Sequence, residues 1–347
     1  MRTFLSDRIL RFLLLSMSTA LLLAPVKASA QTPLPDVVKP PSGINLGSTS
    51  FYDGFGRTRP GVTLLEYFRW SHNTEISNAN GSENPNFITP RIDAFPDLVQ
   101  LIVATKWRPF DGEAGFSVLA PVVDLRSSFA ANSPKKLSSN GLGFGDIIAG
   151  PIYQSKFFGG EGTAKGASAK PGARLSPYFA YRLQFLVQIP NGDFKSTKNI
   201  NQGSGYWAVA PYLAATYLPI PRLEMSTRFH YQYNLATSNL PNPPPIPHLV
   251  YTSGQAGQLL YDNFTTSYKF TRKLYLGANA YGVYQLSPDK TNGMNVGGAR
   301  ETQLYLGPGG GIDFAKGNTL NVNLYLKMEA HNTASGPSLQ LLYIHRF

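Results

Sequence analysis

Reactive side chains are scarce in this sequence, and their spacing limits what they can do. The chain has no Cys, so disulfides, thiolate metal sites and Cys nucleophiles are excluded. Its imidazoles are His72, His230, His248, His331 and His345. Nucleophilic catalysis needs a Ser or Thr beside a His that a third group orients. The nearest pairing, Ser226 with His230, shares one face of an extended segment, separated by ~13 Å along it. No His-x-x-x-His or His-Glu-x-x-His spacing offers a zinc site. No enzyme, metal or cofactor is expected. A different set remains: Arg182, Arg228 and Lys327; Glu224 and Glu329; Gln285; and Tyr206, Tyr212, Tyr281, Tyr305 and Tyr325. Tyrosine joins an apolar ring to a hydrogen-bonding tip, which suits phenols and aromatic acids. These residues act together only if the fold turns them toward one space.

Alternation supplies such a fold. In Leu320–Ala330 the even positions (Leu320, Val322, Leu324, Leu326, Met328, Ala330) are apolar and the odd ones polar or amphipathic. That is a period of two over a run as long as a membrane-spanning strand. Residues 178–189 repeat the pattern, with Phe179, Tyr181, Leu183 and Phe185 opposite Arg182, Gln184 and Gln188. So do residues 222–234, where Leu223, Met225 and Phe229 oppose Glu224, Arg228 and His230. Strands are expected near 62–76, 96–107, 114–126, 143–157, 176–190, 204–218, 221–235, 255–270, 273–286, 299–315, 319–330 and 338–347. Twelve is an even number, as bacterial barrels require. The expected fold is all-β, a transmembrane antiparallel β-barrel of about 12 strands.

The termini agree. Arg2, Arg8 and Arg11 precede an apolar run, Phe12–Ala24, and then the small-x-small triplet Ala28-Ser29-Ala30. Residues 1–30 therefore read as a secretory signal peptide, too short in its apolar part to span a membrane. Removing it lowers the formal charge from +11 to +8. An exported protein has little access to nucleic acid, so no nucleic-acid partner is expected. At the other end Leu339, Leu341, Tyr343, His345 and Phe347 share one face, and the chain stops on Phe347. A terminal aromatic on an alternating strand resembles the signal read by the barrel-assembly machinery of Gram-negative outer membranes. The expected surroundings are outer-membrane lipids.

With the C-terminus periplasmic, the outer loops are 331–337, 287–298, 236–254, 191–203, 127–142 and 77–95. The inner turns are 316–318, 271–272, 219–220, 158–175 and 108–113. Long outside and short inside is the barrel asymmetry: four of the five inner turns are short and five of the six outer loops exceed ten residues, and the inner exception is 158–175. Residues 31–61 are rich in Pro and are expected either as a periplasmic segment or, over 43–56, as a plug; residues 62–347 form the barrel. If lipid takes the apolar positions, the lumen receives the basic Arg182, Arg222, Arg228, Lys327 and Arg346. It also receives the acids Asp146, Glu224, Glu301 and Glu329. This near balance argues against ring-of-charge selectivity. Arg182 and Arg228, one strand apart, could hold an aromatic carboxylate beside Tyr206 and Tyr212, or could merely balance Glu224 or another interior acid. Asp146, in Gly143-x-Gly145-Asp146, reads as a structural carboxylate.

Short motifs carry a family resemblance: Phe51-Tyr52-Asp53-Gly54; Gly143-x-Gly145-Asp146 with Gly150-Pro151; Ser253-Gly254; Gly277 with Tyr281, Tyr284, Gln285 and Asp289; and Gly307-Pro308. In order and spacing they resemble the outer-membrane transporter family labelled meta-pathway phenol-degradation proteins. The resemblance implies a channel for uptake of small hydrophobic or aromatic solutes. The alternative is a structural or interaction barrel with a closed lumen and binding loops.

Overall fold

The computed structural model describes residues 34–40, 50–159 and 178–347, apart from Lys316. The expected signal peptide and most of segment 158–175 lie outside the described residues. Twelve long strands follow in order: β1 (Gly61–Asn73), β2 (Arg91–Ala104), β3 (Glu113–Ser128), β4 (Ile147–Gln154), β5 (Tyr178–Ile189) and β6 (Ala208–Ile220). Then come β7 (Leu223–Asn234), β8 (Leu259–Lys269), β9 (Leu274–Gln285), β10 (Thr302–Ala315), β11 (Asn318–His331) and β12 (Ser338–Arg346). Each pairs antiparallel with its sequence neighbours, and β1 pairs with β12, so the sheet closes on itself. Closure gives every strand two partners, which is how a sheet satisfies its backbone in hydrocarbon.

The period-two pattern becomes inside and outside. On β7, Glu224, Ser226, Arg228, His230, Gln232 and Asn234 are buried, while Phe229 and Tyr233 between them are exposed. Exposed Phe116, Leu183, Phe185, Leu213, Leu276 and Leu306 continue the belt on neighbouring strands. An apolar belt of this extent marks a lipid-facing surface.

Two departures from regularity matter for the site. The expected strand 143–157 is broken: Gly141–Phe144 and β4 each pair with β3, but the ladder is interrupted at Gly145 and Asp146. Asp146 there accepts hydrogen bonds from Gly192 N (2.9 Å), Ser204 N (2.8 Å), Gln188 Nε2 (2.7 Å) and Ser204 Oγ (2.6 Å), tying down the β5–β6 loop. On β11, Leu304 opposes Glu329 but Tyr305 opposes Lys327, so Met328 is an extra residue, a β-bulge. Beyond it the phase inverts, with Ala330 buried and Glu329 exposed. The expectation that Glu329 faces the lumen fails for that reason. Its carboxylate sits 2.9 Å from His331 Nε2 at the rim.

The connections after β6, β8 and β10 are short, and those at the opposite end are long except 332–337 between β11 and β12. Two small sheets form among the long loops. Lys290–Thr291 pairs with Gly254–Gln255 and Met294–Asn295, and Glu75–Ile76 pairs with Ala334–Ser335. The short-turn end is periplasmic by the barrel rule.

Candidate functional site: the barrel lumen

Among the described residues, three groups of interior side chains concern the site. In the first, Arg182 on β5 and Arg228 on β7 both lie level with Ala214 of β6. Ala214 adds almost no bulk, so the two guanidiniums converge over it. They meet a carboxylate that belongs to no strand, Asp53. Arg182 Nη2 donates to Asp53 Oδ1 at 3.0 Å, Arg228 Nε donates to Asp53 Oδ2 at 2.7 Å, and Arg228 Nη2 also reaches Oδ1. Both cations lie against the Tyr212 ring, 5.7 and 5.1 Å from its centroid. Arg182 Nε donates to the Tyr212 hydroxyl at 3.2 Å.

Asp53 sits in a turn, with Phe55 N donating to Tyr52 O at 2.9 Å and Tyr52 at φ 62°. Side chains of the wall hold this turn by its backbone. Tyr52 N donates to Glu224 Oε1 (3.0 Å), Gly54 N to Thr216 Oγ1 (2.8 Å) and Gly56 N to Gln154 Oε1 (2.9 Å). Gln154 Nε2 returns a bond to Gly54 O at 2.9 Å. Glu224 therefore does not balance the arginines. Thr265 Oγ1 (3.0 Å) and Ser267 Oγ (2.8 Å) also donate to it, as does Ser226. A Cβ on Gly54 would stand 2.3 Å from Thr216 N, so only glycine lets the chain press this closely on the wall.

The second group is aromatic. Tyr281 stacks on Tyr305 at 4.7 Å and meets Tyr325 edge-on at 5.1 Å. Arg69 of β1 lies 5.4 and 5.6 Å from the Tyr281 and Tyr325 rings and donates to the Tyr281 hydroxyl at 3.1 Å. In the third, His230 stacks on Tyr261 at 4.2 Å and meets the Tyr212 ring, tilted by 49°, at 4.7 Å.

The remaining expected residues lie elsewhere. Tyr206 is not beside the arginine pair. It packs with Val37 and Val38 among the outer loops, and its hydroxyl donates to Lys39 O at 3.0 Å. Gln285 braces the β9–β10 loop through Asp289 Oδ1 (2.7 Å) and Glu301 N (2.9 Å). Lys327 pairs with Glu75 of an outer loop. Sequence reasoning gave no lumen role to Arg69, Tyr261, Thr216 and Gln154, nor to Asp53, which it placed only in a family motif and in the possible plug 43–56. Parity could have found Arg69, two positions from the inward Tyr67; Asp53 lies outside any periodic segment. Between the 50–57 turn and β1–β3 a cavity of about 70 Å³ remains, lined by Thr63, Leu65, Tyr67, Glu113 and Gln154.

A closed antiparallel barrel with an apolar outer belt and a polar, aromatic interior is a transmembrane protein of the Gram-negative outer membrane. More particularly, the chain belongs to the family described as "Putative MetA-pathway of phenol degradation", whose profile matches residues 67–343. An outer membrane channel from Pseudomonas putida F1 superposes with a TM-score of 0.68 at 11% identity, covering 86% of this chain and 100% of that one. At that identity the likeness concerns the fold alone. The beta domain of the Bordetella autotransporter BrkA gives a TM-score of 0.43 at 11% identity, over 83% of this chain and 100% of that one. The translocator domain of autotransporter NalP from Neisseria meningitidis gives 0.42 at 11% identity, over 85% and 91%. No curated protein sequence matches this chain.

Proposed function

We propose that this barrel is a channel through which small hydrophobic or aromatic compounds cross the outer membrane, with no catalytic step. The observation that carries this reading is the inner wall. Tyr281, Tyr305 and Tyr325 form one aromatic cluster and Tyr212, His230 and Tyr261 another, inside a barrel of a family described by phenol degradation. Rings with polar tips attract solutes of the same mixed character. The pathway runs past Arg182, Arg228, Tyr212, Tyr281, Tyr305 and Tyr325. The cavity of about 70 Å³ beside residues 50–57 is under half of the ~150 Å³ that accommodates benzene in a protein core, so a ring enters there only if residues 50–56 shift. Proteoliposome uptake tests the reading. Phenol and benzoate should enter several-fold faster than hexanoate, and equal rates for all three would reject an aromatic pathway.

The same small cavity favours a second reading, a closed barrel whose outer loops bind partners. Planar-bilayer recording of a variant lacking residues 34–56 separates the two, because a closed interaction barrel stays silent without that segment.

A further inference from the structure

We propose that the Arg182–Arg228 site is a binding site for an aromatic carboxylate, and that Asp53 occupies it as a built-in competitor. This rests on the channel reading above and narrows its solute. The site is assembled rather than incidental. Two buried guanidiniums from different strands converge on one carboxylate, backed by a tyrosine ring. Arginine forks match carboxylates in geometry, and their planes lie against aromatic rings. Among the described residues the carboxylate paired with these cations is Asp53, while Glu224 of the wall is taken up by hydroxyls and by Tyr52 N. The acid comes from the N-terminal segment, whose Phe51 and Tyr52 rings stand edge-on to Tyr275 at 5.5 and 5.3 Å. Residues 51–53 thus carry the two parts of an aromatic acid, ring and carboxylate, into the lumen.

The charges make exchange the natural route. If the turn leaves alone, two cations stay buried without a counter-charge, which strongly disfavours departure. If a solute carboxylate arrives as Asp53 leaves, the pairing is restored. A neutral phenol offers no such compensation. Benzoate should therefore loosen the segment where phenol does not.

Two measurements on the full-length folded barrel test this. Calorimetric titration with benzoate should show at least tenfold tighter binding to Asp53→Asn than to the wild type. Arg182→Gln with Arg228→Gln should lose benzoate binding, and phenol should bind both Asp53 forms alike. Equal benzoate affinity for the wild type and Asp53→Asn overturns the proposal. So does acetate binding as tightly as benzoate, because the ring would then be irrelevant. Should Asp53→Asn fail to fold, Ser50→Cys in the otherwise native chain reports the segment. Ser50 is buried, and saturating benzoate, unlike phenol, should speed its thiol labelling several-fold. Unchanged labelling overturns the exchange. Failure of the channel reading looks different: benzoate would bind as described, yet neither benzoate nor phenol would enter proteoliposomes faster than hexanoate.

Discussion

Two residues bear on the N-terminal segment: Gly54 within it, and Asp289 of the β9–β10 loop, which feels Asp36 and Lys39. Gly54 lies against the backbone of β6, where an added Cβ would stand 2.3 Å from Thr216 N and 2.6 Å from the Ala215 carbonyl carbon. A strand backbone in a closed ladder cannot yield, so Gly54→Ala should lift the turn at a cost of about 1–3 kcal/mol. Planar-bilayer recordings should then show more frequent openings than the wild type. At the outer end Asp289 is fully buried, and its Oδ1 accepts from Gly257 N (2.6 Å) and Gln285 Nε2 (2.7 Å). Burial, and next the charge of Asp36, push its carboxyl up to about 9, with Lys39 opposing. Folded protein then holds a proton that the unfolded chain gives up in the ordinary carboxylate range. The stability from this group is complete at acid pH and declines as pH rises toward 9. The thermal unfolding midpoint should fall over that range by more in the wild type than in Asp289→Asn. Parallel pH profiles would show that Asp289 does not share this proton.

Among elements, β12 and β11 show how local pattern and pairing divide the work. Phe347 is largely exposed, and its backbone N donates to Val62 O at 3.1 Å while Arg57 Nη1 donates to its carbonyl at 2.8 Å. The seam between β1 and β12 thus closes on the last residue. A substitution tests whether assembly depends on this aromatic end. Phe347→Ala should leave export intact and lower the amount of heat-modifiable barrel several-fold, as judged on semi-native gels. A normal yield would mean that the terminal ring is dispensable. The twelve strands were legible because side-chain direction in a strand depends only on parity. The Met328 bulge was not, because the apolar run through Leu326, Met328 and Ala330 looks unbroken in sequence. An inserted residue shows only in the register of the partner strand.

For the whole molecule, the lumen's state depends on a segment that is not part of the barrel. Val37 and Val38 pack with Tyr206, Leu240 and Ala256 at the outer end, and Thr291 Oγ1 donates to Pro35 O at 2.7 Å. Residues 51–56 bond to β4, β6 and β7 further in. Deleting residues 34–56 removes both anchorages and lets water hydrate Arg182 and Arg228. Such a variant should conduct more steadily than the intact chain. Ionic strength should affect it more, because the two cations then face the pore without Asp53. A deletion variant as silent as the intact chain would favour the closed interaction barrel.

The sequence alone determined the strand number, the alternation of faces and the inward placement of Arg182, Arg228, Tyr212, Tyr281, Tyr305 and Tyr325, all of which follow from local period. Only the tertiary structure decided what those residues meet. Asp53 reaches Arg182 across 129 positions and Arg228 across 175. Tyr206 shares parity with Tyr212 yet packs at the outer end with Lys39, far from the arginines in the wall. Glu329 keeps its expected parity and still turns outward past the bulge. Periodicity governs which way a side chain points from its own strand. Which partner waits there depends on how the ring closes and on a segment that has no period to read.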